Sequence, residues 1–426
     1  MTAGDATGTE AGPLTILAVG TGESPHVAAR TEWFAKRGHR VFLLTTAPHR
    51  PELDGVEQLV VPADRLAAHT WLRRWPAPLR QAVSHLLGVM AFLRALRRSR
   101  PDVIHVHFAE QYYGWIASLL GSRPLVVTPM GSDVAAFEEH DQPTTPGEWW
   151  TLRLLQAADY ITPPSNFLVE VINRLGDFED KTERIIWGVS LEKFRHRDAS
   201  ALRRILGIEP QARVVLSPKA LRPFYRVHLI VEAMALVCRS FPEAVLVMSE
   251  FAEDPAYRDQ IVRRSNELGI GDNIRFGGEV ADDDMPVFYG LAEVSVAIPP
   301  RDGMPLALLE AMACETPTIL SRLPRYEEIV QHEESTYFVE PEPKALAAAI
   351  IRLLDDDGLR RRIVERGRQI VAEEADLDEQ AAIVERRYRA LAATTRPRAF
   401  RVSALLSAVF AAWHAYRTFR GPHRPA

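Results

Sequence analysis

Short runs of apolar, largely β-branched residues alternate with longer segments of helical periodicity along most of this chain. This alternation is typical of parallel sheets covered by helices, because parallel neighbours require a long crossover connection. In the first half, strands are predicted at residues 14–19, 40–45, 58–61, 103–108, 125–128, 160–162 and 184–187. In the second half, they are predicted at residues 214–217, 244–249, 273–276, 294–298, 318–321 and 337–339. The pattern predicts an α/β fold.

The two series of strands are separated near residues 189–197, which predicts two Rossmann-like domains. A chain of 426 residues is also too long for one ordinary hydrophobic core. We assign residues 13–192 to an N-terminal domain and residues 193–394 to a C-terminal domain. Residues 1–12 are expected to form a disordered tail, and residues 395–426 a basic amphipathic helix. Ligands of open α/β sheets lie beyond the carboxyl ends of strands, so we expect parallel sheets that face a central cleft.

Composition is typical of a globular protein, with 47% hydrophobic and 25% charged residues. The net charge of −5 argues against bulk binding to nucleic acid, so nucleic acid is not an expected partner. Residues 1–12 are polar and acidic and no apolar run reaches about 18 residues, so we expect neither a secretory signal nor a membrane span. Cys238 and Cys314 lie in apolar helical patterns, which favours a reducing, cytoplasmic compartment. No cysteine or histidine spacing resembles a metal site.

Arginine is concentrated in two segments that contain no acidic residue. Residues 66–100 hold seven arginines and residues 395–426 hold six. Apolar residues recur at helical spacing in both, and in the first they are Leu79, Val83, Leu86, Leu87, Met90, Leu93 and Leu96. Apolar stripes bordered by arginine are typical of helices that lie in a membrane interface, so an anionic membrane surface is one expected partner. The alternative is that both helices pack on the first sheet.

Asp302 and Glu310 stand eight positions apart in the second half of the chain. Gly303, Met304 and Pro305 follow directly after Asp302, and an apolar helical pattern continues through Glu310. Proline suits the first turn of a helix, so the helix is predicted to begin at Pro305. Its first amides lack partners within the helix and are suited to an anion. The segment therefore combines carboxylates for hydroxyl groups with amides for an anion, and a sugar nucleotide presents both.

This segment resembles the acid-x7-acid signature of retaining glycosyltransferases of family 4, which have the GT-B fold. By this resemblance Glu310 would hold the ribose hydroxyls, while Asp302 and the amides of Gly303 and Met304 would hold the donor sugar. The chain has Asp302 where the family usually has Glu, and Glu315 where a Gly usually follows the helix. The resemblance implies that residues 13–192 form the acceptor-side domain and that residues 193–394 form the nucleotide-sugar-binding domain. It also implies a nucleoside-diphosphate sugar as co-substrate, with UDP favoured over GDP, and neither a cofactor nor a metal.

Further motifs in the family's order extend the resemblance over roughly residues 14–391. Their order and spacing together are more specific than any one of them. They are Lys36-Arg37-Gly38-His39-Arg40-Val41, Asp102-Val103-Ile104-His105-Val106-His107, Gly131-Ser132-Asp133 and, where the family commonly has Asn-Gly-Val-Asp, Trp187-Gly188-Val189-Ser190.

The cations that would hold the diphosphate depart from the family pattern. Lys219 stands at the position of an Arg, and Tyr225 stands at the Lys of a Lys-Gly pair, with Arg226 next to it. A Lys binds phosphate as a point charge, so affinity would survive with less geometric control. The predicted catalytic residues are Lys219, Asp302 and Glu310. The predicted donor-binding residues are Gly131, Ser132, Asp133, Met130, Lys219, Tyr225, Arg226, Ile274, Asp302, Gly303, Met304, Pro305 and Glu310.

Met130 stands where the family frequently has a histidine, which by resemblance reaches the 6-hydroxyl of the donor hexose. A thioether is a poor hydrogen-bond partner, so a 6-deoxyhexose or a pentose would fit better, and neutral drift is the alternative.

The acceptor side is predicted at the loop after the first strand, which contains Gly20, Gly22 and His26, and at His107. An ordinary strand-to-helix turn is the alternative for that loop. His105 and His107 lie on one face of a strand, and neither is assigned as a general base.

These features predict a retaining glycosyltransferase that moves a sugar from a nucleoside-diphosphate sugar to an acceptor hydroxyl. A peripheral position at the inner face of the membrane would suit a lipid-linked or cell-envelope acceptor, as in polysaccharide biosynthesis, and a soluble acceptor stays open. The alternatives are a noncatalytic relative that binds a nucleotide sugar or scaffolds a partner, and a nucleotide-sugar epimerase of the same fold.

Overall fold

A computed structural model describes residues 12–48, 52–61, 77–302 and 306–395, and in the helix that begins at Ala77 it describes side chains from His85 onward. The chain divides into two compact units. The first comprises residues 1–163, 168–184 and 381–426, and the second comprises residues 164–167 and 185–380. The predicted tail and the predicted C-terminal helix, apart from Gly12 and Thr395, lie outside the described residues, as do Gly303, Met304 and Pro305.

The predicted strands and helices can be compared directly with the described elements. The strands are β1 (Thr15–Val19), β2 (Arg40–Thr45), β3 (Val56–Val60), β4 (Val103–His107), β5 (Leu125–Thr128), β6 (Tyr160–Ile161), β7 (Val214–Ser217), β8 (Val245–Met248), β9 (Ile274–Phe276), β10 (Val294–Ala297), β11 (Thr318–Ser321) and β12 (Tyr337–Val339). The helices are α1 (Pro25–Lys36), α2 (Ala77–Ser99), α3 (Tyr112–Leu120), α4 (Pro146–Ala157), α5 (Asn166–Arg174), α6 (Ser200–Ile205), α7 (Val227–Ser240), α8 (Pro255–Glu267), α9 (Met285–Gly290), α10 (Leu306–Ala313), α11 (Pro324–Glu327), α12 (Pro343–Asp355), α13 (Asp357–Glu374) and α14 (Leu377–Thr394).

Both sheets are parallel and share one strand order. The first sheet runs β3-β2-β1-β4-β5-β6, and the second runs β12-β11-β10-β7-β8-β9. Counted from the first strand of each series, both orders are 3-2-1-4-5-6, which is the doubly wound arrangement. In the first sheet Leu17 pairs with Phe42 on one side and with Ile104 on the other. The predicted α/β class with two Rossmann-like sheets is confirmed.

The strands that carry the sites are buried on both faces, which explains why they appear in the sequence as continuous apolar runs. All five residues of β1 and all five of β4 are buried, as are all four of β7 and of β10. In the second unit α7 and α12 pack against each other above this sheet and complete its core. Rigid strands of this kind hold the loops at their carboxyl ends in place.

The unit boundary differs from the predicted one at residue 192. Residues 185–192 belong to the second unit, where Val189 donates to the carbonyl of Ala375 at 2.9 Å and accepts from the amide of Leu377 at 3.1 Å. From residue 381 onward α14 belongs to the first unit. The cause lies at Tyr388, which is fully buried, stacks on Phe34 with ring centroids 5.1 Å apart and is hydrogen-bonded to His105. Sequence spacing alone gave no sign of this return.

The predicted strand at 184–187 does not form, and the backbone leaves the extended region at Trp187. Trp187 has a φ of 56° and Gly188 a φ of 26°, both incompatible with a strand. At Gly188 a Cβ atom would lie 1.9 Å from the carbonyl oxygen of Ala375, so only glycine fits there.

Helix α2 presents two residues of its predicted apolar stripe away from the core, whereas Leu87, Leu93 and Leu96 are half-buried. Its buried positions are Gly88, Phe92, Ala95 and Ser99, which share one face. Leu86 is 52% exposed and Met90 is 39% exposed, and both lie on the opposite face. Arg94, Arg97, Arg98 and Arg100 are exposed as well. Among the described residues, no helix is both long and apolar enough to cross a membrane.

Candidate functional site

Lys219 and Asp302 meet at the carboxyl edge of the second sheet. They follow β7 and β10, which are adjacent strands, so their loops lie side by side. The Nζ atom of Lys219 lies 2.8 Å from Oδ2 of Asp302. Burial alone would lower the pKa of Lys219, but the Asp302 carboxylate outweighs it and raises that pKa above its ordinary value. Lys219 is therefore a charged cation at neutral pH.

Tyr326 is a second partner of Asp302. It lies in α11, is 1% exposed and donates its hydroxyl to the same Oδ2 atom at 2.7 Å. Burial and the negative charge of Asp302 raise the pKa of this tyrosine well above 10. The hydroxyl therefore keeps its proton and acts as a donor at any physiological pH.

Glu310 lies in the middle of α10 and is hydrogen-bonded to a second tyrosine. The hydroxyl of Tyr289 donates to Oε2 of Glu310 at 2.9 Å. Burial raises the pKa of Glu310 to about 7, with a contribution from Asp282, although the bond from Tyr289 and the charge of Lys219 lower it. Glu310 in turn contributes to the raised pKa of Lys219, so the two side chains lie within electrostatic range of each other. The two predicted acids thus share one cluster.

The loop after β7 brings Tyr225 and Arg226 to the same edge. The ring centroid of Tyr225 lies 5.9 Å from Nζ of Lys219. Arg226 is the N-cap of α7 and has a φ of 54°, a left-handed conformation that side chains other than glycine adopt at a cost. Ile274 differs from these residues, because its side chain packs in the hydrophobic core of the second unit. If Ile274 contacts a donor, only its main chain can do so.

In the first unit Asp133 has a structural use that the sequence did not reveal. Its Oδ1 atom accepts the amides of Met130 at 2.9 Å and Gly131 at 2.8 Å, and its Oδ2 atom accepts the amide of Ala109. Burial raises the pKa of Asp133 to about 6, against the lowering effect of these three amides. Asp133 thereby ties the loop after β5 to the loop after β4, and its neighbour Ser132 is exposed.

Met130 and His107 lie in a buried polar group beneath that loop. The Nη1 atom of Arg30 is 3.4 Å from the sulfur of Met130 and 3.4 Å from Nδ1 of His107. The rings of His105 and His107 lie 3.9 Å apart, and burial lowers the pKa of both well below 6.5. Both are therefore neutral at pH 7. His107 is 2% exposed, so its predicted acceptor-side role competes with packing inside the first unit.

The predicted acceptor loop is constrained at its glycines. At Gly22 a Cβ atom would lie 2.1 Å from the carbonyl oxygen of Ala47, so the approach of the turn after β2 requires glycine. The amide of Gly22 also donates to Oγ1 of Thr45 at 2.8 Å. Gly20 is buried and hydrogen-bonds to Leu44, and His26 is partly exposed in the first turn of α1. The acceptor-side assignment of this loop stays a prediction, and the close approach of the turn after β2 is by itself enough to require glycine at position 22.

Sequence reasoning missed Tyr289, Tyr326 and Lys193. Lys193 forms ion pairs with Asp282 and, at 3.0 Å, with Asp283, and its charge also acts on Glu310. The two tyrosines appear in the sequence as ordinary apolar positions, and only their proximity to the acids in space gives them a role. Among the described residues, no cluster of three or more His, Cys, Asp or Glu side chains is arranged to hold a metal ion.

Two family models match the chain in succession. A model described as "Glycosyltransferase Family 4" matches residues 22–193, and a model described as "Glycosyl transferases group 1" matches residues 198–370. Together they span both units and include Lys219, Asp302 and Glu310.

Among characterised proteins, the chain is 24% identical to N-acetyl-alpha-D-glucosaminyl L-malate synthase of Bacillus anthracis, over 65% of this chain and 72% of that protein. It is 26% identical to D-inositol 3-phosphate glycosyltransferase of Thermobispora bispora, over 65% of this chain and 68% of that protein. Both names describe the transfer or attachment of a sugar.

Solved structures show the same fold. Sucrose-phosphate synthase from Thermosynechococcus elongatus matches with a TM-score of 0.73 and 22% identity, over 89% of this chain and 99% of that one. Alr3699/HepE of Anabaena, solved in complex with UDP and glucose, matches with a TM-score of 0.70 and 17% identity, over 89% of this chain and 100% of that one.

Proposed function

Because the chain belongs to the group 1 glycosyltransferases of family 4 and has their GT-B fold, we propose that it transfers a sugar from a nucleoside-diphosphate sugar to an acceptor hydroxyl with retention of configuration. The observation that carries this proposal is the cluster of Lys219, Asp302 and Glu310 at the carboxyl edge of the second sheet. One cation for a diphosphate and two carboxylates for sugar hydroxyls occur there together.

The phosphate chemistry rests on Lys219. Its raised pKa keeps it charged, and its present partner is a single carboxylate oxygen that a diphosphate can replace. A fixed cation beside the leaving group stabilises charge that develops as the bond to the sugar breaks. Arg226, in the same loop, is a second candidate cation. With these cations in place, we propose that transfer needs no metal ion.

In the proposed reaction the bond from the anomeric carbon to the diphosphate oxygen breaks, and the diphosphate leaves with the bonding electrons. The acceptor oxygen bonds to the same face of the sugar and loses its proton to the departing phosphate. Glu310 would accept hydrogen bonds from the ribose, and Asp302 from the donor sugar. UDP is the favoured nucleotide, in agreement with the UDP named in the HepE structures.

We further propose a peripheral position on an anionic, cytoplasm-facing membrane surface. The exposed Leu86 and Met90 of α2 form an apolar strip flanked by exposed arginines, and a surface of this kind is attracted to anionic lipid. Such a position would suit a lipid-linked acceptor. The names of two relatives, an N-acetyl-alpha-D-glucosaminyl L-malate synthase and a D-inositol 3-phosphate glycosyltransferase, favour a small soluble acceptor instead.

A donor panel tests the proposal. The purified chain would be incubated with UDP-glucose, UDP-N-acetylglucosamine, a UDP-pentose and a nucleotide-linked 6-deoxyhexose, and thermal shifts would be measured. The best donor, radiolabelled, would then be offered to a membrane extract and to inositol phosphate, each with and without excess EDTA. Transfer that persists in EDTA is the expected result.

Three outcomes contradict parts of the proposal. Binding without transfer would indicate the noncatalytic relative. Conversion of the donor sugar without an acceptor would indicate an epimerase. Transfer that EDTA abolishes would overturn metal independence while leaving the donor assignment intact.

A further inference from the structure

We propose that Tyr289 and Tyr326 are positioning residues of the donor site, and that each fixes the orientation of one carboxylate. This inference rests on the proposed function, because it assigns a role to residues around the donor. Neither tyrosine belongs to the acid-x7-acid segment, and they come from different helices, α9 and α11.

The geometry pairs one tyrosine with each acid. Tyr326 donates to Oδ2 of Asp302 at 2.7 Å, and Tyr289 donates to Oε2 of Glu310 at 2.9 Å. Tyr289 also reaches the carbonyl of Ala307 at 3.2 Å, one turn before Glu310 in α10. In each pair one carboxylate oxygen is held by a phenol, which orients the other oxygen for a hydroxyl of the donor.

Burial holds both tyrosine side chains in place and keeps their hydroxyls protonated. Tyr289 and Tyr326 are both among the largest fully buried side chains of the described residues. Burial and the neighbouring carboxylate raise the pKa of each tyrosine well above 10, so neither hydroxyl loses its proton. A hydrogen bond to a charged group in such surroundings is stronger than one between neutral groups. The tyrosines therefore select one rotamer of each acid.

The two pairs differ in one respect that gives different predictions. The Oδ2 atom of Asp302 accepts hydrogen bonds from both Tyr326 and Lys219, whereas the Oε2 atom of Glu310 accepts its hydrogen bond from Tyr289. When the diphosphate attracts Lys219, Asp302 loses that contact. Tyr326 is then the partner that keeps Asp302 in place while the sugar is transferred. Tyr289 acts on the ribose-binding acid and hence on nucleotide affinity.

The test uses three matched substitutions in the full chain. Tyr326→Phe and Tyr289→Phe each remove one hydroxyl, and Tyr257→Phe is the control. Tyr257 is 3% exposed in the same unit, and its hydroxyl lies 2.9 Å from the amide of His228 rather than near an acid. All three variants would be compared by melting curve, by UDP affinity in calorimetry and by kcat and KM for the donor.

We expect Tyr326→Phe to lower kcat about tenfold with UDP affinity within about twofold of wild type. We expect Tyr289→Phe to weaken UDP binding about tenfold. Should Tyr326→Phe not fold, Tyr326→Met removes the same hydroxyl with a side chain that adapts to irregular gaps.

The inference is overturned if both variants behave like Tyr257→Phe, with unchanged kcat and UDP affinity. It is also overturned if they lose only melting temperature, which would indicate a purely structural role. A wild-type chain that neither binds UDP nor transfers sugar would instead contradict the proposed function. The two failures are thus distinguishable.

Discussion

The two sheets have the same strand order, yet their carboxyl edges hold polar groups in different ways. In the second unit the carboxylate of Asp302, 2.8 Å from the Nζ atom of Lys219, keeps the pKa of that lysine above its ordinary value in spite of burial. In the first unit burial lowers the pKa of His105 well below 6.5 and that of Arg30 to about 9. One topology thus supports one edge with an ion pair and another at which burial lowers the pKa of basic groups.

The difference indicates what each edge is built for. A paired cation can exchange its carboxylate for a diphosphate at little electrostatic cost, because it faces a negative group before and after the exchange. Asp133, by contrast, uses its carboxylate to hold three amides of neighbouring loops. We therefore expect substitutions in the second unit to change ligand binding and turnover, and those in the first unit to change stability.

The largest effect is expected at Lys219. Lys219→Ala removes the cation proposed to stabilise the leaving diphosphate, and turnover should fall by about 10²-fold or more. Lys344→Ala, an exposed lysine of the same unit, is the control and should leave kcat unchanged. Measurement of kcat at saturating donor checks this. Equal kcat values for Lys219→Ala and Lys344→Ala would show that the charge of Lys219 does not contribute to catalysis.

The next effect contrasts Glu310 with Asp133. Glu310→Ala would lose two hydrogen bonds to the ribose, each contributing on the order of 1.5 to 3 kcal/mol, so UDP affinity should fall at least tenfold with the melting temperature retained. Asp133→Ala leaves three amides without their acceptor and should lower the melting temperature instead. Calorimetry and melting curves on both variants decide. Loss of UDP affinity in Asp133→Ala without loss of stability would support the predicted role of Asp133 in donor binding.

A smaller effect concerns the exposed face of α2. Joint replacement of Leu86 and Met90 by Glu should weaken binding to phosphatidylglycerol vesicles by about tenfold, because an apolar contact is lost and negative charge is added. Ile205→Glu is the control, since Ile205 is 79% exposed on α6 of the second unit. Flotation at low and high salt measures both. Vesicle binding that Ile205→Glu weakens equally, or that intact protein lacks, would remove the membrane assignment from the first unit.

The membrane assignment of residues 396–426 needs its own truncation. Deleting this segment should reduce flotation further without lowering the melting temperature of the two units. Loss of stability would favour packing on the first sheet, which was the alternative from the sequence.

The smallest effect is the pH dependence of nucleotide binding. Burial raises the pKa of Glu310 to about 7, so this carboxylate is charged above pH 7 and protonated below it. The charged form accepts the ribose hydroxyls, so UDP affinity should decrease severalfold as pH falls from 8 to 6. The diphosphate of UDP titrates in the same pH range. Glu310→Gln separates the two contributions, because it removes the titration of Glu310 and leaves that of the diphosphate. Parallel pH profiles for wild type and Glu310→Gln would contradict the assignment.

Three departures from the family pattern illustrate how far local sequence decides local structure. Trp187, Arg226 and Glu315 stand where the family pattern described above would have Asn or Gly, and all three adopt positive φ, at 56°, 54° and 63°. Non-glycine residues enter this region at a cost of roughly 1 kcal/mol each, so their own preferences do not explain it. The surrounding chain imposes the conformation, as at Trp187, where the next residue is fixed against Ala375.

The sequence by itself determined the strand series, the two Rossmann-like sheets and the acid pair at Asp302 and Glu310, because buried strands and helix starts leave local, periodic signals. Only the tertiary structure decided that Tyr326 and Tyr289 hold those acids, that α14 returns to the first unit through Tyr388, and that α2 presents Leu86 outward. Each of these depends on contacts between residues distant in the chain. A buried tyrosine has the same local pattern whether its hydroxyl reaches a carbonyl or a carboxylate, so its chemistry is decided by what lies opposite it in space.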